Sequence, residues 1–252
     1  WAMRLSHGWK QSVTLSVYLG GIPQLSISFQ TTFIVHLKMS LDHGIRMVVI
    51  FMGEKYILTE NRRMVNSVPV YQVQAVKDFT TVERKKIKSG TLGGYVEDYR
   101  NLSQDDKSWV ADNAIIMDNG YVYDDALVKD SAIVTGVARI YSSARVLDEA
   151  TVGGDADIGD KVIIENNAHV DGHSKLTDNV TVRDHAIVTG ESYLAYMVRV
   201  EGHARVIDSG LTYGANVGGK SLIRNCTLKG NRTFGDCELT NVRTSATYTH
   251  IT

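Results

Sequence analysis

Lys107-Ser-Trp-Val-Ala-Asp112, Asn113-Ala-Ile-Ile-Met-Asp118, Asn119-Gly-Tyr-Val-Tyr-Asp124 and Asp125-Ala-Leu-Val-Lys-Asp130 are four consecutive sixes cut from one pattern. The pattern runs to Asp208, seventeen hexads with no insertion or deletion. Its fourth position is aliphatic throughout, from Val110, Ile116 and Val122 to Val200 and Val206. Its second position holds only Ala, Ser, Gly or Val, mostly Ala, as at Ala114, Ala126 and Ala150. Its sixth is Asp, Asn or Gly except at Ser142 and Tyr196. Self-similarity at so short a period predicts a parallel β-helix.

The chemistry of the hexad explains the period. Positions two and four face the same side of an extended strand, one small and one branched. A turn residue then bends the chain. Short strands that turn every six residues enclose an aliphatic interior, each coil pairing with the next at about 4.8 Å. Burying one such aliphatic side chain contributes roughly 1.5–3 kcal/mol, so the repeats carry a core with almost no aromatic residue. Amphipathic helices are excluded, because spacings of two then four do not trace one helical face.

The unit x-Ala-x-Val-x-Asp/Gly resembles the hexapeptide repeat of the left-handed β-helix (LpxA-like) superfamily, which includes many bacterial acyltransferases and the γ-type carbonic anhydrases. The resemblance implies three hexads per triangular coil and a left-handed winding, a hand that periodicity does not supply. A narrower resemblance rests on Lys55-Tyr-Ile-Leu-Thr59, Ala75-Val-Lys-Asp-Phe79, Gly90-Thr-Leu-Gly-Gly-Tyr-Val-Glu97, Asn101-Leu-Ser103 and Trp109-Val110. In that order, and with the repeats, they are similar to phage and prophage hexapeptide-repeat proteins and the YdcK-type proteins, over about 54–208. This implies a phage-related origin and a place in the cytoplasm of a bacterial host or on a virion. It implies no reaction, since the transferase label of that group rests on fold analogy.

Composition narrows the partners. A net charge of −1 over 252 residues gives no electrostatic draw toward nucleic acid or an anionic membrane. The longest apolar run, Met47 to Met52, is too short to span a bilayer. Cys226 and Cys237 each stand in a Cys-x-Leu context and read as buried thiols rather than a disulfide framework.

In chain order, 1–53 reads as an N-terminal β segment. Val13–Leu19 and Leu25–Phe29 alternate as two strands about a turn at Gly20-Gly-Ile-Pro23, and Ile45–Phe51 is a further candidate. The chain opens on Trp1, and Met52 is read as a candidate natural start, so whether 1–53 is native is left open. Residues 54–90 read as a β-hairpin cap, Tyr56–Thr59 against Val68–Val76 with a slip, covering the open edge of the first coil. The β-helix is expected over 91–243, with Val96 and Leu102 as the first inward residues. After Asp208 the spacing shortens through Leu211, Val217, Ile223, Leu228, Phe234 and Leu239, which predicts irregular final coils, and 244–252 is a tail.

Residues eighteen apart stack, so each outward position forms a ladder. His169, His185 and His203 share one face, and His185 with His203 is the pair best placed to act as general base or metal ligand. Against that, both stand in an outward ladder with Asn113, Ser131, Glu149 and Asn167, and no carboxylate is obviously set to orient either ring. Asp112, Asp130, Asp148, Asn166 and Asp184 stack on a corner and suit tight turns better than a calcium site. Ile115, Met117 and Ile133 on one face, and Tyr121, Tyr123 and Tyr141 on another, point outward and mark an interface. Its occupant is either a homotrimer partner, the habit of the resembled family, or residues 1–90 of the same chain. Thr135, Thr151, Thr181 and Thr189 do not form the flat array of an ice-binding face.

Two functions remain. One is a phage-type structural or binding scaffold, non-enzymatic, cofactor-free and trimeric, open to a protein partner. The other is a hexapeptide-repeat acyltransferase taking an acyl-CoA-like donor at the trimer interface. The resembled enzymes carry a loop that breaks the coils, and none interrupts Lys107 to Asp208, which favours the scaffold.

Overall fold

The structure is a computed structural model and describes residues 54–244 in full and 13–19, 22–29, 33–39 and 45–51 by their backbone. It divides into two compact units, Trp1–Glu54 and Lys55–Thr252. The turn at Gly20-Gly21, the candidate start at Met52 and the tail from 245 on lie outside the described residues.

The first unit holds two antiparallel pairs. β1 (Val13–Leu19) pairs with β2 (Ile22–Phe29), their register shifting between Val17 and Tyr18. β3 (Phe33–Met39) pairs with β4 (Ile45–Phe51) from Phe33 opposite Phe51 to Met39 opposite Ile45. β3 is an addition to the strands expected from the sequence, although Phe33, Val35, Leu37 and Met39 carry a period of two.

The second unit is a parallel β-solenoid of about eight turns. β5 (Tyr56–Val65) and β6 (Val68–Ala75) form a hairpin around Asn66 and Ser67, both with positive φ. Small residues tolerant of left-handed φ are what a two-residue hairpin turn requires. β7 (Phe79–Thr80) and β8 (Lys86–Ile87) make a second, shorter hairpin. β9 (Leu92–Val96) pairs antiparallel with β6 and parallel with the coils, Val96 beside Ile116, so the first hairpin closes the solenoid's open edge. The slip expected near Val73 is a bulge between Gln72 and Gln74.

The first full coil consists of β10 (Trp109–Val110), β11 (Ile115–Ile116) and β12 (Tyr121–Val122), and the succession ends at Glu238–Thr240. Each strand pairs with the one eighteen residues on, as Val110 with Val128, Ile116 with Val134 and Val122 with Ile140. Three sheets result. Sheet I starts at β10 and has 8 strands; sheet II holds β11 with β9, β6 and β5 and has 11; sheet III starts at β12 and has 7.

Every fourth-position residue of the seventeen hexads is at most 1% exposed, so the inward register is as read. The sixth positions explain their own composition. All have positive φ, including Asp112, Asp148, Gly172 and Asp208. Only Gly, and to a lesser extent Asn and Asp, adopts that conformation cheaply. The carboxylates do a second job. Asp118 accepts from the Gly136 amide at 3.1 Å, Asp130 from Asp148 at 3.2 Å, Asp148 from Asn166 at 2.9 Å and Asp184 from Gly202 at 2.8 Å. From Asp130 to Asp184 the acidic ladder is therefore a row of turn acceptors bonded to the next coil.

After Asp208 each coil loses a residue. Leu194 pairs with Leu211 and Val200 with Val217, and in the last coil Ile223 pairs with Leu239, one residue shorter again. Cys226 is buried and Cys237 half-buried, both as free thiols.

At the start of the solenoid, Lys55 is fully buried. Its Nζ donates to the Ser108 carbonyl at 2.6 Å and to Ser108 Oγ at 3.0 Å, with Asp106 Oδ1 at 3.4 Å. Burial pulls this ammonium down to about 8, against the pull of Asp106 in the other direction.

Candidate functional site

The three sheets expose three faces, and the residues singled out from the sequence distribute over two of them and a corner. His185 and His203 occupy the corner ahead of sheet II, exposed, with ring centroids 4.9 Å apart. They are coil neighbours as expected. Neither ring is paired with a carboxylate among the described residues, so nothing fixes a tautomer for general-base work.

Two other imidazoles do have partners. His169, midway along sheet II, has Nδ1 2.6 Å from Thr151 Oγ1 and Nε2 3.6 Å from Asp171. His173 Nδ1 lies 3.3 Å from Asp155 on the following corner. The signal was present as the eighteen-residue spacings 151–169 and 155–173, a distance at which side chains stack. The hydroxyl–imidazole–carboxylate row of Thr151, His169 and Asp171 has the order of an activated nucleophile. It lies open on a flat sheet, and the gap to Asp171 exceeds hydrogen-bond length. Among the described residues no three or more His, Cys, Asp or Glu side chains are grouped to hold a metal ion.

The apolar patch of sheet II meets the second of its two expected occupants. Ile115 and Met117 are 8% and 5% exposed, packed with Val70 and flanked by Val65, Val68, Tyr95 and Ile133. They point outward from the coil, but the β5–β6 hairpin and β9 cover them. Their occupant is this chain's own cap, and they are not an open face for another subunit. A hairpin too small to hold itself together gains its apolar partner this way.

The tyrosines of sheet III remain at the surface. Tyr121 and Tyr123 stack with centroids 4.9 Å apart, and Tyr123 stacks on Tyr141 at 5.3 Å. The Tyr141 hydroxyl donates to Asp157 Oδ1 at 2.7 Å, and Arg139 lies 3.5 Å from the other Asp157 oxygen. Partial burial, then the bond to Asp157, raises the Tyr141 phenol well above the ordinary tyrosine value. The ring packs over the next coil because position 159 is glycine: a Cβ there would sit 2.5 Å from Tyr141 Cζ. Stacked rings held in this way are stiff contact groups.

The architecture and its exposed faces define a parallel β-solenoid protein. A scan of the chain against protein-family models matches none, and a search of curated proteins finds no match. Among the described residues no helix is long and apolar enough to cross a membrane.

Proposed function

We propose that this chain is a non-enzymatic structural or binding scaffold of the phage and prophage hexapeptide-repeat type, wound left-handed and trimeric, with its solenoid faces as contact surfaces. The observation that supports this best is the unbroken run of turns from Asp112 to Asp208, every one in the left-handed conformation and most tied to the next coil. Such a body presents rigid, regularly spaced side chains and has no inserted loop to form a pocket. The stacked Tyr121, Tyr123 and Tyr141, with half-buried Ile187 and Ile207, supply surface contact groups for a subunit or protein partner. Size-exclusion chromatography with light scattering tests the assembly. The expected mass is three times the 27.8 kDa of one chain; a monomer at every concentration would remove the trimer.

One observation favours a second reading, a hexapeptide-repeat acyltransferase using an acyl-CoA-like donor. His169 is bonded to a hydroxyl and faces a carboxylate, as a general base would be. In that case His169→Ala, rather than His185→Ala, removes activity.

A further inference from the structure

Sheet I carries an open groove that neither reading uses. It encloses about 520 Å³ between the tip of the β7–β8 hairpin, at Val82, and the two outward ladders of four successive coils. One ladder is Ser143, Lys161, Asn179 and Met197; the other is Arg145, Ile163, Thr181 and Arg199. Three lining residues are cations and none is a carboxylate.

The cations are available. Among the described residues no ion pair engages Lys161 or Arg199. Among the described residues Arg145 has one ion-pair partner, Glu83, at 3.7 Å, beyond hydrogen-bond reach. Glu83 gives its shorter contact, 3.0 Å, to Lys129. Two corner carboxylates border Lys161 and Asn179: Asp160 is committed to Thr177 Oγ1 and the Asp178 amide, and Asp178 stands on the adjoining rim, outside the groove lining. The hairpin is thus pinned by Glu83 while the groove side of Arg145 stays open.

Coil stacking sets the charge spacing. Arg145 and Lys161 are one coil apart, and Arg199 lies three coils beyond Arg145, about 14 Å away at 4.8 Å per coil. Between these ends the walls offer a hydroxyl and an amide, Thr181 and Asn179, over the aliphatic Ile163. At the far rim Met197 is 63% exposed with a φ of +63°, a conformation unfavourable for an unbranched apolar residue.

We infer that this groove binds a linear acidic oligosaccharide. Carboxylate or sulfate groups would meet Arg145 with Lys161 at one end and Arg199 at the other. Ring hydroxyls between them would bond Asn179, Thr181 and Ser143, and the apolar C–H faces of the sugars would lie on Ile163 and Met197. No aromatic ring lines the groove to stack a nucleobase, which disfavours a nucleotide as the source of the anion. The inference rests on the scaffold reading in that it makes this face a contact surface, but the groove is formed within one chain and needs no trimer.

Calorimetry on the full chain tests it with three probes, an oligogalacturonate, a neutral maltooligosaccharide of equal length and ADP. The oligogalacturonate binds and the neutral sugar does not. Arg199→Ala and Lys161→Ala, each with an unchanged melting temperature, weaken it by about ten- to a hundredfold, the loss of one charge-assisted contact. Affinity falls with salt. Tighter binding of ADP, equal binding of the neutral sugar, or unchanged affinity in both variants would overturn the assignment. Loss of sugar binding with a trimeric mass by light scattering would sink the groove alone; sugar binding by a monomer would sink the trimer alone.

Discussion

One corner of the solenoid is built in two ways along its length. The lower stretch runs through Asp106, Asp124, Ser142, Asp160 and Asp178, and the upper stretch through Tyr196 and Tyr213. From Asp124 to Tyr213 each of these residues has positive φ. In the lower stretch a carboxylate answers the demand: Asp106 accepts from the Asp124 amide at 2.6 Å, Asp124 from Ser142 at 3.1 Å and Asp160 from Asp178 at 3.0 Å. Higher up, a pair of exposed rings stacks instead, 4.8 Å apart and 8° from parallel. Left-handed backbone costs a residue with a bulky side chain about 1–2 kcal/mol, and among the described residues neither Tyr196 nor Tyr213 accepts the amide above it through its side chain. The lower corner is optimised for turning. The upper corner gives up some of that stability and exposes aromatic surface.

The largest effect is expected where the core itself is charged. Val146→Asp puts a carboxylate among fully buried aliphatics, whereas Tyr196→Asp puts the same group on the corner. The first should lose more than about 4 kcal/mol in urea unfolding or fail to fold; the second should be no worse than wild type. Equal effects would mean that the inward and outward positions are misread.

Next comes the foot of the corner, where Asp106 also faces Lys55. The folded state holds Lys55 at about 8, below its ordinary 10.5, so the unfolded chain binds more protons between those values. Stability therefore rises with pH through that window, and below pH 8 the buried ammonium costs about 3 kcal/mol. Thermal melts from pH 7 to 10.5 should show this rise in wild type and a flatter curve in Lys55→Met. A parallel pair of curves would mean that Lys55 is not the cause.

The two kinds of corner can be exchanged. Asp160→Ala removes an acceptor and a residue suited to positive φ, and should cost about 1–2 kcal/mol. Tyr196→Asn should instead stabilise by about 1 kcal/mol, read as a shift in the urea midpoint. The smallest change expected is His185→Ala with His203→Ala, within about 0.5 kcal/mol, because both rings are exposed and bonded to nothing that folding needs.

How much of this was legible follows from periodicity. Positions that repeat every six residues, such as Val146 and Asp148, were readable because each faces the same environment in every coil. The stacking of His185 on His203 followed from the same rule. The fate of Ile115 and Met117 did not, since the residues that cover them, Val65, Val68 and Val70, lie in a non-repeating hairpin whose docking no spacing encodes. The partnering of His169 with Thr151 was available at eighteen residues, but a hydroxyl beside an imidazole stands out less in a sequence than a pair of histidines. The groove was invisible because Val82 closes it from outside the repeat.

The scaffold account stands or falls on whether the solenoid takes an acyl donor. Calorimetry of the wild-type chain with acetyl-CoA and a longer acyl-CoA measures this directly. The account predicts no saturable heat with either. Micromolar binding that disappears in His169→Ala, or in His185→Ala with His203→Ala, would contradict it and make the acyltransferase reading the better one.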